Sequence, residues 1–152
     1  MLVATFAVFG LIHAPTAVAD NKRLNDNAVL GIYNLQHQAG CRNDVTIDMR
    51  LQTAAEWHTR DLMTHPELSG DTGSDGSTPQ SRAAVAGFTG QVAQTIAIYP
   101  SFALNNRELM LMWQDNPAYV PIMTDCAFSK MGVWSENSFD RSILVAVYGA
   151  PS

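Results

Sequence analysis

One segment carries more information about this chain than any other: SGDTGSDGSTPQSR, residues 69–82. Two of its glycines, Gly73 and Gly76, permit a backbone with positive φ, and the carboxylate of Asp75 can accept hydrogen bonds from nearby amides. Thr78 and Pro79 then provide an N-cap and a proline at the first helical position. The segment is therefore predicted to be a structured loop that leads into a helix.

The chain is the size of a single domain. It has 152 residues and a mass of 16.6 kDa, which is enough to bury a hydrophobic core without a structural metal. Hydrophobic residues make up 47% and charged residues 15%, as in an ordinary globular protein. The net charge of −5 argues against nucleic acid and against anionic lipid headgroups as electrostatic partners.

The N-terminal segment has the pattern of a secretory signal peptide. Its first 12 residues are almost wholly apolar, and small residues in an A-x-A arrangement precede Asp20. We therefore predict a signal peptide at residues 1–19 and a mature domain at residues 20–152. No Lys or Arg precedes the apolar run, and the alternative is a membrane anchor. An anchor needs about 18 or more continuous apolar residues, whereas His13 and Pro15 interrupt this run, so we expect no stable membrane span after cleavage.

The two cysteines, Cys41 and Cys126, are predicted to form a disulfide. An exported chain enters an oxidising compartment, where an even number of cysteines is best interpreted as paired. The alternative is two separate buried thiols. A pair this far apart in sequence is not a redox motif.

Apolar periodicity and β-branched runs predict an α+β domain. Four helices are expected, at about residues 24–39, 48–65, 77–86 and 105–113. Three short strands are expected at residues 95–99, 131–134 and 143–148. The last two strands should pair antiparallel, because the connection between them is short and polar.

Several separated motifs resemble the bacterial form of the CAP domain, the superfamily of cysteine-rich secretory, antigen 5 and pathogenesis-related class 1 proteins, also called SCP-like. The matching positions are Leu51, Ala54, Ala55, His58, Asp61 and Met63, then Gly73 to Ser77 with Pro79, Arg82 and Ala86 to Phe88, then Trp113, Pro117, Phe128, Gly132 and Val133, and finally Tyr148 and Gly149. The resemblance covers about residues 25–149. It implies an α-β-α sandwich with a small antiparallel sheet between helical layers.

The resemblance also implies a cleft whose usual metal ligands are replaced. In many CAP proteins two histidines and two acidic residues form a set that can bind zinc. Here Asp71 and Tyr119 occupy the two histidine positions, Gln94 occupies the first glutamate position, and Asn116 is the closest match to the second acidic position. These four residues are our candidate binding positions. Without an imidazole among them, we expect neither a metal nor another cofactor.

Other site chemistries find less support in the sequence. His58, Asp61 and His65 could share one face of the second helix as a surface metal site, or simply form a solvated helix surface. Ser74 lacks the G-x-S-x-G setting of a hydrolase nucleophile. The Met-rich run at residues 109–113 is either helix core or the lining of an apolar groove.

The resemblance implies a secreted, non-catalytic protein, located outside a bacterial cell or in its envelope. Its function is expected to be that of a binding module for a lipid, another apolar small molecule or an envelope component. The alternative is an extracellular protein–protein interaction domain with a host or envelope partner. Hydrolase activity is a third possibility, and it loses its basis where the His and Glu positions are changed.

Overall fold

The computed structural model describes residues 16–152, which form five α-helices and four β-strands. In chain order they are α1 (Thr16–Gln38), β1 (Thr46–Ile47), α2 (Met49–Thr64), α3 (Pro79–Val85), β2 (Gly90–Tyr99), α4 (Asn106–Gln114), α5 (Val120–Met123), β3 (Lys130–Asn137) and β4 (Ser142–Pro151). Residues 1–15 of the predicted signal peptide lie outside the described residues, so its cleavage stays a prediction. Within residues 16–152, no helix is both long and apolar enough to cross a membrane.

The four strands form one sheet in the order β1-β3-β4-β2. β4 pairs antiparallel with β3 and with β2, which confirms the predicted pairing of the last two strands. The two-residue β1 pairs parallel with β3 and was not predicted. β2 begins at Gly90, five residues before the predicted Thr95, because its polar first half is stabilised by pairing with the end of β4.

β4 separates two hydrophobic cores. Leu144, Ala146 and Tyr148 belong to the core built with α1, α4 and α5, whereas Ile143, Val145 and Val147 belong to the core built with α2 and α3. A strand that is buried on both faces has a continuous apolar sequence, as β4 does. The α+β class and the α-β-α sandwich are therefore confirmed.

Helix α2 lies unusually close to β3. Asp48 caps the helix by accepting a hydrogen bond from the backbone amide of Arg50 over 2.9 Å. A Cβ atom placed on Gly132 would lie 2.0 Å from the backbone nitrogen of Gln52 and 2.1 Å from the carbonyl carbon of Leu51. The absence of a side chain at Gly132 therefore allows helix and strand backbones to meet.

The Met-rich run belongs to the core. Leu109 and Trp113 are fully buried in the α1 side of the sandwich, and Met110 and Met112 pack against the same cluster. This agrees with the core interpretation of the run.

Cys41 and Cys126 form the predicted disulfide. The bond joins the loop after α1 to the loop between α5 and β3. Nearby, Gln36 Nε2 donates a hydrogen bond to the carbonyl oxygen of Phe128 over 3.0 Å. Covalent and hydrogen bonds together hold the end of α1 against the start of β3.

Candidate functional site

The 69–82 loop is held to α2 by one carboxylate. Asp61 accepts hydrogen bonds from the backbone amide of Ser74 over 2.7 Å and from its hydroxyl over 2.5 Å. Burial alone would raise the pKa of Asp61, but the hydrogen bonds from Ser74 outweigh it and hold the pKa below its usual value. The loop is therefore anchored by a group that stays ionised, and the Ser74 hydroxyl is used in this anchor.

The loop then turns into α3 as predicted. Asp75 accepts a hydrogen bond from the amide of Ser77 over 2.9 Å, and Gly76 has a φ of 78°. Thr78 caps α3 by accepting from the amide of Ser81, whose hydroxyl in turn accepts from the amide of Thr78. Gly73 does not have positive φ; instead, a side chain there would crowd its neighbours, since a Cβ would lie 2.7 Å from Ser77 Oγ.

Arg82 links the 69–82 loop to β2 through hydrogen bonds. Its guanidinium donates to the carbonyl oxygen of Ser77 over 2.9 Å, to that of Asp71 over 2.8 Å and to Oε1 of Gln94 over 3.3 Å. Burial lowers the pKa of this arginine. Sequence reasoning treated Arg82 only as part of a motif. No local sequence signal reveals this role, because the partners of Arg82 are separated in the chain.

Two of the four predicted site residues are hydrogen-bonded to each other, and a third, Tyr119, is bonded to the same strand, β2. Gln94 donates from Nε2 to Oδ1 of Asp71 over 3.0 Å. Tyr119 Oη accepts a hydrogen bond from the backbone amide of Ile96 over 3.3 Å. Burial raises the pKa of Tyr119, and the negative charge of Asp71 acts in the same direction.

Asn116, the fourth candidate, has a different position. Its Oδ1 accepts from the amide of Ala118 over 3.0 Å, and its carbonyl oxygen accepts from the amide of Tyr119 over 3.0 Å. Within residues 16–152, no hydrogen bond links its side chain to Asp71 or Gln94. Asn116 shapes the turn that carries Tyr119.

The histidines of α2 do not form the metal site considered as an alternative. His58 is fully buried, and its Nε2 lies 2.8 Å from the carbonyl oxygen of Gly70. His65 lies at the end of the helix with Nδ1 3.0 Å from Oδ1 of Asp61. Among the residues that the structure describes, no group of three or more His, Cys, Asp and Glu is arranged to hold a metal ion.

The tautomer of His58 follows from its hydrogen bond to the carbonyl oxygen of Gly70. A carbonyl oxygen can only accept, so Nε2 of His58 carries the proton and Nδ1 presents a lone pair. Burial lowers the pKa of His58, and the positive charge of Arg82 lowers it further. The imidazole is therefore neutral at pH 7.

Side chains cover the outer edge of β2 beside the cleft. Gln80 donates to the carbonyl oxygen of Gly90 over 2.8 Å and accepts from the amide of Val92 over 3.1 Å. Tyr119 satisfies the amide of Ile96 further along the same strand. The edge groups that would otherwise pair with another strand are thus partly occupied.

Two cavities lie in the two helical layers. The apolar groove, of about 930 Å³, lies on the α1 side and is lined by Asn21, Arg23, Leu24, Asn27, Phe102, Ala103, Leu104, Asn105, Asn106, Asn137, Ser138 and Phe139. The polar pocket, of about 260 Å³, lies between α2 and the 69–82 loop and is lined by Trp57, His58, Asp61, Ser74, Asp75, Ser77 and Arg82. Their linings share no residue.

Solved structures share this architecture. An outer surface protein from Borrelia burgdorferi matches with a TM-score of 0.73 at 16% identity, over 86% of this chain and 95% of its own. A cysteine-rich secretory protein from Staphylococcus aureus matches with a TM-score of 0.67 at 12% identity, over 88% of this chain but only 40% of its own. NaASP2, solved with Zn²⁺, matches with a TM-score of 0.58 at 9% identity, over 86% and 81%. No family model and no curated protein matches.

Proposed function

From the CAP fold of this chain, we propose that it is a secreted, non-catalytic binding module for a neutral lipid or similar apolar molecule that carries a hydroxyl or amide group. The apolar groove is the observation that supports this proposal. Its volume is within the range of about 300 to 1,000 Å³ that is usual for small-molecule sites.

Two aromatic side chains give the groove its apolar character. Phe102 is 65% exposed and Phe139 is 91% exposed, and both line it. Large apolar side chains that share a concave surface typically mark a binding site. Burial of one such side chain by a ligand contributes about 1.5 to 3 kcal/mol.

Two asparagines that line the groove favour a ligand with a hydrogen-bond donor. Oδ1 of Asn106 and Oδ1 of Asn137 are buried and have no hydrogen-bond partner among residues 16–152. Nδ2 of Asn137 is already used, because it donates to Oδ1 of Asn21 over 2.7 Å. A hydroxyl or amide on the ligand would satisfy these acceptors, which makes an amphipathic neutral molecule a better fit than a pure hydrocarbon.

The cleft around Asp71 is proposed not to hold a metal. Gln94 uses its amide nitrogen on Asp71 and its amide oxygen on Arg82, and neither residue supplies an imidazole. The cationic Arg82 at the base of the cleft adds repulsion toward a divalent ion. These contacts support a structural or binding role for Asp71, Gln94 and Tyr119 rather than zinc chemistry.

A protein partner is the second candidate function. Phe139 lies in the turn between β3 and β4 and is almost wholly exposed, as aromatic anchors of protein interfaces are before binding. Phe139 would thus contact the ligand in either function, so an experiment must distinguish lipid binding from protein binding.

Native mass spectrometry of protein purified from its own host tests the proposal. We expect a bound molecule that is extracted as a neutral lipid, and we expect the double variant Phe102→Ala/Phe139→Ala to lose at least about nine-tenths of it. Val85→Ala is the matched control, because Val85 is 78% exposed and lies at the end of α3, away from the groove. An empty wild-type protein that instead captures one protein partner through Phe139 would replace lipid binding with the second candidate.

A further inference from the structure

Two residues that line the polar pocket each have a buried polar atom without a hydrogen-bond partner. His58 is 0% exposed and Arg82 is 5% exposed, and both line the pocket. Within residues 16–152, neither Nδ1 of His58 nor Nε of Arg82 has a hydrogen-bond partner. A buried polar atom without a hydrogen-bond partner is unfavourable, so both atoms favour a ligand that bonds to them.

The two atoms have opposite hydrogen-bonding character. Because Nε2 of His58 donates to the carbonyl oxygen of Gly70, Nδ1 is an acceptor. Nε of Arg82 is always a donor. A hydroxyl group can donate to the first and accept from the second, whereas an ammonium can only donate and a phosphate or carboxylate can only accept.

The charges around the pocket also disfavour an anion. Asp61 and Asp75 carry two negative charges against the single positive charge of Arg82. Arg82 is already bonded to the carbonyl oxygens of Ser77 and Asp71. A neutral ligand avoids the repulsion that a phosphate or carboxylate would meet here.

An aromatic side chain forms one wall of the pocket. Trp57 is 42% exposed, although it lies on α2 next to the fully buried His58. An indole face packs well against the C–H face of a saturated ring, while the hydroxyls of that ring reach polar side chains. The volume of about 260 Å³ has room for one six-membered sugar ring and little more.

We propose that the polar pocket is a binding site for a neutral hydroxylated ring, a single pyranose unit, which packs on Trp57 and hydrogen-bonds to His58 Nδ1 and Arg82 Nε. Ser74, Ser77 and the carboxylates of Asp61 and Asp75 offer further partners for its hydroxyls. This site is in the opposite helical layer from the apolar groove. It stands whether or not the groove binds a lipid.

Amide and indole NMR spectra of the full chain test this site. The probes are the methyl glycosides of glucose, galactose, mannose and N-acetylglucosamine, added at up to about 50 mM so that a site with a Kd of about 1 mM would be saturated. We expect at least one glycoside to shift the indole N–H signal of Trp57 and the amides of residues 74–77. The indole of Trp134 is an internal control, because it donates to Glu136 and lies outside the pocket.

Variants and competing probes make the result decisive. Trp57→Ala should weaken binding by about tenfold or more, whereas Trp57→Phe, which keeps an aromatic face, should stay within about threefold of the wild type. A tetrasaccharide that binds more tightly than its methyl glycoside would identify a glycan as the source of the ring, and equal affinity would identify a free sugar. The proposal is overturned if no glycoside moves the Trp57 signal, or if inorganic phosphate or choline binds there more tightly.

Discussion

The side-chain amide of Gln94 donates to the carboxylate of Asp71 over 3.0 Å, across a cleft where the sequence resemblance would otherwise place a glutamate and a histidine. Arg82 supports both residues, through the backbone oxygen of Asp71 and the amide oxygen of Gln94. Two positions that differ from the family pattern are therefore hydrogen-bonded to each other.

Metal binding should be gained only when the replaced ligands are restored. We expect the wild-type chain to show no heat of zinc binding at micromolar concentration, and we expect the variant Asp71→His/Gln94→Glu/Tyr119→His to bind zinc, because imidazole and carboxylate supply suitable lone pairs. Isothermal titration calorimetry measures both. Asp71→Asn is the control that disturbs the cleft without adding a ligand. Micromolar binding by the wild type that is lost in His58→Ala would show that the metal site lies on α2 instead.

Gly132 should be intolerant of even one methyl group. A Cβ there would meet the backbone of α2, which cannot move aside as a flexible side chain could. We expect Gly132→Ala to lower the free energy of unfolding by about 3 kcal/mol or more, measured by urea denaturation. Gly70→Ala is the matched control, because no atom lies within 4 Å of a Cβ built there. Similar stability of the two variants would contradict the close approach of α2 and β3.

Loss of the disulfide should be costly because it closes a long loop. Cys41 and Cys126 are 85 residues apart, for which the chain-entropy relation gives about 4 to 5 kcal/mol. The double variant Cys41→Ala/Cys126→Ala should therefore unfold at a much lower urea concentration. Cys126→Ala alone also breaks the bond but keeps the buried Cys41, so any further loss in the double variant measures the packing of that side chain. A stability change below about 1 kcal/mol would rule out this contribution.

His58 should make the protein less stable at mildly acidic pH. Its folded-state pKa lies below 6.5, so the unfolded chain binds the proton first as the pH falls. The contribution of the neutral imidazole is complete above pH 6.5 and is lost as the pH falls from there toward the folded-state pKa. His58→Gln should flatten the curve of unfolding free energy against pH in this window. An unchanged slope would contradict the burial of a neutral His58.

Asp61 should affect the free energy of unfolding in a separate and more acidic pH range. Its folded-state pKa lies below 3.8, so its contribution is complete above that pH and disappears as the pH falls through the folded-state value. Asp61→Asn removes the charge but keeps the shape, and we expect it to reduce the loss of stability below pH 3.8. Hydrogen exchange of the 69–82 loop would show whether the same substitution releases the loop. No change in either measurement would contradict the anchor.

Local sequence patterns predicted best those elements whose own residues form the buried contacts. In α2, Leu51, Ala54, Ala55 and Leu62 are buried at the helical spacing seen in the sequence, and Thr78 caps α3 as expected. The first half of β2 could not be recognised, because Gly90 and Gln91 have no strand preference of their own and depend on pairing with Ala150 and Pro151.

The site was predictable only where a motif was continuous or a resemblance supplied the alignment. Asp71 and Gln94, which the resemblance assigns to one cleft, are hydrogen-bonded to each other, and a binding role for them and for Tyr119 stays a prediction. The role of Arg82 depends on three partners that are separated in sequence. The apolar groove combines the start of α1 with Phe102 and Phe139 from two different loops. No local pattern contains that combination, because only the fold brings these segments together.

The position of β4 in the chain also bears on how the protein is made. This strand supplies side chains to both cores, yet it follows every other element in sequence. During synthesis α1 and α2 emerge with apolar faces that have no sheet to cover, and long-range pairing is slow. Such a nascent chain cannot complete either layer early. Because β4 comes last, both layers stay open until nearly the whole polypeptide is available for folding.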